Sequence, residues 1–273
     1  MCLLCPVYGT KRQQARLGKG FSAFGAAENF FVPVGHSVCF GGYMELHGLQ
    51  KLTLLDYPGK TACTLFFGGC NLRCPFCHNA SLVLRPGSCP TIPESELFAF
   101  LKKRQGLLDG VCVTGGEPLL HPGLADLLQR IRELGYAVKL DTNGCYPDRL
   151  EKLLDAGLVD YVAMDLKNSR EEYPTTVGIP DFDTARIDQT IRLLTEGRVE
   201  YEFRTTVVQG LHTVHSLGAA AFWIDGAQNY FLQNFVDSGD LIQPGLTAFS
   251  PSEMRHFLNV VKPHVKNAGL RGL

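Results

Sequence analysis

The sequence predicts an α/β fold in which parallel strands and helices form a partial (β/α)6 TIM-like barrel. Short apolar runs alternate with helix-like segments from residue 61 onward, which is the pattern of parallel strand–helix units. The alternation recurs six times, and a closed barrel of this kind has eight units. Cysteines rather than a glycine-rich phosphate loop follow the first strand, which disfavours a dinucleotide-binding fold. A doubly wound flat sheet is the alternative.

Each predicted strand is a short run of apolar and β-branched residues bounded by polar or glycine-containing sequence. The predicted strands cover residues 61–67, 111–114, 137–141, 161–165, 202–208 and 230–234.

The predicted helices lie between these strands and at the carboxyl end. In the segment 121–134, leucine and isoleucine recur every three or four residues, so they form one buried stripe. Gly135 and Gly157 lie where helix C-caps are expected. The predicted helices cover residues 93–105, 121–134, 147–156, 183–196, 213–226 and 251–264.

The composition is typical of a globular protein and excludes some classes of partner. Of 273 residues, 45% are hydrophobic and 19% are charged, with a formal net charge of −1. This charge predicts neither a nucleic-acid nor a membrane partner, and no apolar run reaches the roughly 18 residues that span a bilayer. Ten cysteines in a chain of this length favour a metal site in a reducing cytoplasm over a disulfide framework.

The first 43 residues differ from the rest of the chain. Residues 9–20 are basic, and residues 21–43 are rich in phenylalanine and glycine without helical or strand periodicity. We therefore expect residues 1–43 to be an amino-terminal extension that is disordered or not native to the protein. The functional domain is expected to cover residues 44–273.

Three cysteines on one short loop form the strongest candidate site. Cys70, Cys74 and Cys77 have the spacing C-x3-C-x2-C. Three thiolates can hold an iron–sulfur cubane and leave one iron free for an outside ligand, whereas a structural zinc site needs four ligands. A zinc knuckle with His78 as the fourth ligand, or a chance cluster, remains the alternative.

Polar residues follow the next predicted strands at the points where these strands end. In parallel α/β folds the carboxyl ends of the strands converge on one edge, so these residues predict a ligand site. The alternatives are a tight turn at the glycines, a helix cap at 141–143 and a simple ion pair at 165 and 167. The residues are Gly115, Gly116 and Glu117, then Asp141, Thr142 and Asn143, then Asp165 and Lys167.

Arg204 lies inside a predicted strand. Burying its charge requires an anionic partner, and an exposed strand face is the alternative. His212 and His215 are expected to be surface or capping residues. Cys63, Cys112 and Cys145 are expected to be small buried residues without a metal.

With Phe76 before its last cysteine, the loop resembles the C-x3-C-x-aromatic-C signature of the radical S-adenosylmethionine (radical SAM) enzymes. The stretch from Leu55-Asp56-Tyr57-Pro58-Gly59-Lys60 to Cys77-His78-Asn79 is similar to glycyl-radical-activating enzymes. Within these it is most similar to the activating proteins of anaerobic ribonucleoside-triphosphate reductase. The resemblance extends from about residue 44 to about residue 261.

The resemblance implies a barrel of the radical SAM type with a [4Fe-4S] cluster on Cys70, Cys74 and Cys77. It also implies that S-adenosylmethionine, with a monovalent cation, is reductively cleaved and that the resulting radical takes hydrogen from a glycine of a partner enzyme. The implied partners are anaerobic ribonucleoside-triphosphate reductase and an electron donor such as flavodoxin or ferredoxin. The residues expected to contact the cofactor are Phe76, Gly115, Gly116, Glu117, Asp141, Thr142, Asn143, Asp165, Lys167 and Arg204.

Two other functions are compatible with the sequence. A radical SAM enzyme could act on a small molecule instead of a protein, and only a glycyl radical on an added partner separates the two. A non-catalytic zinc-binding module is the third hypothesis, which metal analysis distinguishes from a cluster protein.

Overall fold

The computed structural model describes residues 46–273. The predicted extension at 1–43 and its boundary with the domain at residue 44 lie outside the described residues. One eight-stranded sheet runs through the described chain. Its strands are β1 (Leu46–Thr53), β2 (Ala62–Phe67), β3 (Gly110–Gly115), β4 (Ala137–Thr142), β5 (Tyr161–Asp165), β6 (Glu200–Val207), β7 (Asn229–Asn234) and β8 (Asn267–Arg271).

Helices connect most of the parallel strands. Short 3₁₀ turns occur at Pro86–Ser88, Pro118–Leu120 and Lys262–His264. The α-helices are α1 (Ala80–Leu84), α2 (Glu94–Arg104), α3 (Leu124–Glu133), α4 (Pro147–Asp155), α5 (Tyr173–Val177), α6 (Ala185–Thr195), α7 (Val214–Trp223) and α8 (Pro251–Val261).

The order of the strands confirms a partial barrel. Strands that pair in the sheet are also neighbours in sequence, from β1 to β8. β1 and β2 are antiparallel, and each later pair is parallel. A doubly wound sheet reverses its strand order at a switch point, so this order excludes that alternative. Among the described strands β1 and β8 do not pair with each other, so the sheet is not closed.

The six predicted strands are present as β2 to β7, and the six longer helices match the predicted ones. The prediction missed β1 and β8, which flank the six units, and the short helices α1 and α5. β1 has glycine and polar residues and is buried mainly at its ends. β8 is only five residues long and half-buried or exposed. Neither edge strand has the apolar run by which buried parallel strands are recognised.

The ends of the helices follow the predicted chemistry. Ser250 caps α8, since its side chain accepts a hydrogen bond from the Glu253 backbone N–H and the Glu253 carboxylate accepts one from the Ser250 N–H. Such a reciprocal cap stabilises a helix by about 1 kcal/mol. Gly135 follows α3 with φ of +89°, a conformation that favours glycine, as expected for a C-cap.

Alternation along the strands gives the sheet two different faces. Val138 and Leu140 of β4 belong to the main core between sheet and helices. Lys139 and Asp141 therefore lie on the opposite face, which we call the inner face. The fold thus places charged side chains of β4, β5 and β6 on the same face of the sheet. Within residues 46–273, no helix is long and apolar enough to cross a membrane.

Candidate functional site

A cavity of about 150 Å³ lies where the cysteine loop meets the carboxyl ends of the parallel strands. Its lining contains most of the residues that the sequence analysis selected, and they come from four separate segments of the chain. Glu117 and Arg204 do not line it but hold residues that do. The predicted residues in the lining are Cys70, Cys74, Phe76, Cys77, Gly115, Gly116, Asp141, Thr142, Asn143, Asp165 and Lys167.

The cysteine loop is held by backbone hydrogen bonds from elements that are distant in sequence. The Arg73 N–H donates to the Val177 carbonyl at 2.9 Å, and the Gln243 N–H donates to the Pro75 carbonyl at 2.9 Å. Within the loop, the Leu72 N–H donates to Cys70 Sγ at 3.4 Å. The loop therefore presents its three sulfur atoms from a fixed backbone.

The three thiols are chemically suited to binding iron. Burial raises the pKa of Cys74 to about 12 and also raises the pKa of Cys70 and Cys77 above the usual value, while the positive charge of Lys167 acts in the opposite direction. Thiols of this kind stay protonated in the bare protein. A bound metal deprotonates its thiol ligands, so binding of an iron cluster here would release their protons.

The alternative of a zinc knuckle is not supported. His78 Nε2 lies 2.7 Å from the Val236 carbonyl oxygen, and because that oxygen can only accept, Nε2 carries a proton and Nδ1 is the one ring nitrogen left to bind a metal. Among residues 46–273, no three His, Cys, Asp or Glu side chains are grouped so that they could hold one metal ion. A cubane does not require that grouping, because each thiolate binds a different iron.

The two glycines of the Gly115-Gly116 pair allow close packing against the backbone at the end of β2. A Cβ at Gly116 would lie 1.8 Å from the Gly69 carbonyl oxygen, and Gly115 has φ of +117°. The Glu117 N–H donates to the Gly69 carbonyl at 2.8 Å. The sequence-based hypothesis ascribed the pair to close approach of a ligand. The structure shows that the pair also brings this segment against the backbone next to Cys70.

Glu117 is fully buried and organises the end of β4. Its carboxylate accepts hydrogen bonds from Thr142 Oγ1 at 3.0 Å, the Leu119 N–H at 3.0 Å and the Asn143 N–H at 2.7 Å. Burial raises its pKa to about 7, although these three donors favour the ionised form. The predicted helix-cap alternative for 141–143 is wrong, because the N-cap of α4 is Tyr146.

Alternating charges extend across β4, β5 and β6 on the inner face. Arg204 Nη2 lies 2.9 Å from Asp165 Oδ1 and 3.3 Å from Asp141 Oδ2. Lys167 Nζ lies 2.9 Å from Asp165 Oδ2, and Lys139 pairs with Asp141. Arg204 is only 14% exposed, so the alternative of an exposed strand face is wrong. Its anionic partners are those that burial of a charge requires.

The ion pairs determine the charge that faces the cavity. Burial alone would raise the pKa of both carboxyls, but Lys167 and Arg204 hold the pKa of Asp165 below its usual range. Arg204 and Lys139 do the same for Asp141. Both carboxylates are therefore ionised. Asp141, Asp165 and Lys167 line the cavity, whereas Arg204 and Lys139 pair with the carboxylates without lining it. The ammonium group of Lys167 is complementary to an anionic ligand group, and the two carboxylates are complementary to cationic ones.

His212 is the residue whose role the sequence analysis missed. It is 2% exposed rather than at the surface. The Val208 N–H donates to Nδ1 at 3.1 Å, so Nε2 carries the proton and donates to the Lys167 carbonyl at 2.8 Å. Its ring also packs edge-on against Phe76 at 6.3 Å between centroids. His215 is exposed, as expected. No sequence pattern separates the two histidines, because only the fold turns one of them inward.

Asn79 was also not selected from the sequence. Its side-chain amide donates to the Gly115 carbonyl at 3.1 Å and so connects the cysteine loop to the end of β3. The only signal was its place directly after Cys77 and His78. Cys63, Cys112 and Cys145 are buried, as expected.

Comparison with known proteins identifies one family and several relatives. The model of the Radical SAM superfamily matches residues 64–215, which is more than half of the chain. A protein of Methanocaldococcus jannaschii, provisionally named a glycyl-radical enzyme activating enzyme, is 29% identical over 235 residues. That match covers 82% of this chain and 94% of the relative.

Two further relatives match this chain over about half of their own length. The 7-carboxy-7-deazaguanine synthase of Methanopyrus kandleri is 33% identical over 144 residues, covering 46% of this chain and 54% of that protein. The pyruvate formate-lyase-activating enzyme of Clostridium pasteurianum is 34% identical over 129 residues, covering 45% of this chain and 52% of that protein.

A solved structure supports the fold. SuiB of Streptococcus suis, determined with bound S-adenosylmethionine, superposes with a TM-score of 0.58 at 15% identity, over 77% of this chain and 52% of that chain. At this identity the similarity concerns the fold alone.

Proposed function

The chain belongs to the radical SAM superfamily, and from this we propose that it is the activating enzyme of a glycyl-radical protein. The cofactors of the superfamily, a [4Fe-4S] cluster and S-adenosylmethionine, are therefore the cofactors of this chain. The observation that carries the proposal is the similarity to the M. jannaschii protein, which extends over 82% of this chain and 94% of that one. The match to a pyruvate formate-lyase-activating enzyme supports the same activity.

The residues around the cavity fit these cofactors. Cys70, Cys74 and Cys77 would hold three irons of the cluster, which leaves the fourth open to an outside ligand. The Leu72 N–H, which already donates to Cys70 Sγ, would stabilise a thiolate there. When bound, the cluster and the sulfonium cofactor supply one-electron cleavage of S-adenosylmethionine and hydrogen-atom abstraction from a glycine Cα.

We assign the protein side chains to the methionine end of the cofactor. Lys167 lines the cavity with its ammonium group beside Asp165, so it suits the methionine carboxylate. Arg204 holds Asp141 and Asp165 ionised and in place, and these carboxylates suit the amino group and a monovalent cation. These side chains would hold and orient the cofactor beside the cysteines, and such positioning would favour an effectively unimolecular electron transfer.

The remaining predicted contacts belong to the same cavity. Gly115 and Gly116 present backbone where the amino group of the methionine would lie, and Glu117 keeps that segment against β4. Thr142 and Asn143 continue the lining, and Phe76 provides an apolar wall beside the cysteines.

The partner must bring a backbone glycine to this cavity. The sheet is not closed between β1 and β8, so its inner face is open to a protein loop in a way that a closed barrel would prevent. The specific partner that we propose is anaerobic ribonucleoside-triphosphate reductase, with flavodoxin or ferredoxin as electron donor, in the cytoplasm. The support is the similarity of the cysteine loop and its flanks to the activating proteins of that reductase. We keep residues 44–273 as the functional domain and 1–43 as an extension.

The test is anaerobic reconstitution with iron and sulfide, followed by electron paramagnetic resonance with reductant, S-adenosylmethionine and a candidate partner. We expect a glycyl radical on anaerobic ribonucleoside-triphosphate reductase and formation of 5′-deoxyadenosine. A partner whose radical-bearing glycine is replaced by alanine is the control. A radical only on pyruvate formate-lyase would correct the partner but keep the activity. Absence of a radical on every glycyl-radical protein, with cofactor cleavage intact, would refute the proposal.

One observation favours a second candidate. The similarity to a 7-carboxy-7-deazaguanine synthase, at 33% identity over 144 residues, supports a radical SAM enzyme acting on a small molecule. Cleavage of S-adenosylmethionine that depends on an added heterocyclic small molecule, and not on a protein, would support this candidate over the activating enzyme.

A further inference from the structure

We propose that Asn143 is a positioning residue for the cluster. Its side-chain amide donates an N–H···S hydrogen bond to Cys70 and so raises the reduction potential of the cluster bound there. Asn143 Nδ2 lies 3.7 Å from Cys70 Sγ, within the range for a hydrogen bond to sulfur. This inference rests on the proposed function only in requiring a cluster on the three cysteines.

The orientation of the Asn143 amide follows from its partners. Its Oδ1 lies 3.0 Å from the Cys145 backbone N–H, which can only donate. If the oxygen and nitrogen were exchanged, the NH₂ group would face the Cys145 N–H, and two donors cannot form a hydrogen bond. The oxygen therefore faces Cys145 and the NH₂ group faces the cysteine loop. One N–H of that group donates to Asn71 Oδ1 at 2.8 Å, and the other is available to Cys70 Sγ.

The backbone of Asn143 is fixed as firmly as its side chain. The Asn143 N–H donates to Glu117 Oε2 at 2.7 Å, and Glu117 is itself fully buried and held by Leu119 and Thr142. Asn143 is 6% exposed. The donor is therefore held towards Cys70 by the protein itself, and it does not depend on a bound ligand to position it.

A hydrogen bond to a ligating sulfur favours the reduced cluster. Reduction adds negative charge that is shared with the thiolates, and an N–H dipole directed at sulfur stabilises this charge. The effect is larger in a buried site, where water does not screen the dipole. Reductive cleavage of a sulfonium needs a cluster of low potential, and such a cluster is difficult to reduce. By raising the potential somewhat, this hydrogen bond would allow a cellular one-electron donor to reduce the cluster.

The test is a redox titration of the reconstituted cluster in Asn143→Leu, followed by electron paramagnetic resonance. Leucine has the branched shape and the number of side-chain heavy atoms of asparagine, lacks the donor and keeps water from taking its place. Asn79→Leu is the matched control. The Asn79 side chain lies directly after the cysteine loop and donates to the Gly115 carbonyl, whereas its bond to the Cys77 sulfur comes from the backbone N–H, which the substitution keeps. Neither S-adenosylmethionine nor a partner is added, so the result does not depend on glycyl-radical formation.

We expect the equilibrium constant for cluster reduction to fall about tenfold in Asn143→Leu, which is about 59 mV towards negative potential for a one-electron couple. Asn79→Leu should keep the wild-type potential. If Asn143→Leu does not bind the cluster, Asn143→Ala, which adds no bulk, is titrated instead with the same expectation. A wild-type potential in a cluster-loaded Asn143 variant, or an equal shift in Asn79→Leu, would overturn the proposal.

Discussion

Replacing Arg204 by methionine tests the physical basis of the inner-face ion pairs. Methionine retains the apolar length of the side chain but removes the guanidinium, which lies 2.9 Å from Asp165 and 3.3 Å from Asp141. The side chain of Arg204 is 14% exposed, so solvent replaces these contacts poorly.

The expected loss of stability follows from the ion pairs that remain after the substitution. Breaking a buried pair costs about 3–5 kcal/mol when it leaves an unpaired charge. Here Asp165 keeps Lys167 and Asp141 keeps Lys139, so both carboxylates stay paired after the substitution. The substitution removes a close charged hydrogen bond to Asp165 and a longer one to Asp141. A charged hydrogen bond of good geometry contributes about 1.5–3 kcal/mol. We therefore expect the free energy of unfolding to fall by about 2–3 kcal/mol.

The assay is urea unfolding of the cluster-loaded protein under anaerobic conditions, followed by the fluorescence of Trp223, the one tryptophan in the chain. Arg198→Met is the matched control, because Arg198 pairs with an Asp155 side chain that is 60% exposed. An exposed pair of this kind contributes about 0.2–1 kcal/mol. If both substitutions shift unfolding equally, burial does not strengthen the Arg204 pairs and the reasoning is wrong.

Three further predictions follow from the buried groups. Because the pKa of Glu117 is raised to about 7, its contribution to stability is present below about pH 4.3 and is lost as the pH rises through 7. Glu117→Gln should remove this part of the pH dependence, measured as urea midpoints between pH 5 and 8. His212→Gln should lower the free energy of unfolding at pH 8 by about 1–3 kcal/mol, because the Val208 N–H and the Lys167 carbonyl lose their partner. Burial lowers the pKa of His212, so its contribution is present above about pH 6.5 and falls with the pH. The penalty of the variant should accordingly shrink below pH 6.5, and a constant penalty would contradict the buried neutral ring. Cys74→Ala should abolish iron and sulfide binding, whereas Cys112→Ala, a matched change at a buried cysteine that is not part of the C-x3-C-x2-C motif, should keep both at the wild-type level.

The parallel strand–helix units, and the sheet edge at which the polar residues meet, follow from local sequence patterns. Hydrophobic periodicity is a local property, so β2 to β7 and the six longer helices could be recognised without knowing their neighbours. Parallel strands carry their carboxyl ends to one edge, which is why Cys70, Gly115, Asp141 and Asp165 share a cavity although they lie far apart in the chain.

The partner that each of these residues contacts depends on the folded arrangement of the strands and loops. The pairing of Arg204 with two aspartates depends on the register of β5 against β6, where Asp165 is opposite Arg204. His212 is buried because the chain after β6 turns back over Lys167, and Glu117 acquires its donors from the end of β4. β1 and β8 also needed the structure, since edge strands gain their order from pairing with a neighbour and carry little apolar pattern of their own. These contacts join residues separated by tens of positions, and their geometry depends on packing that no local pattern encodes.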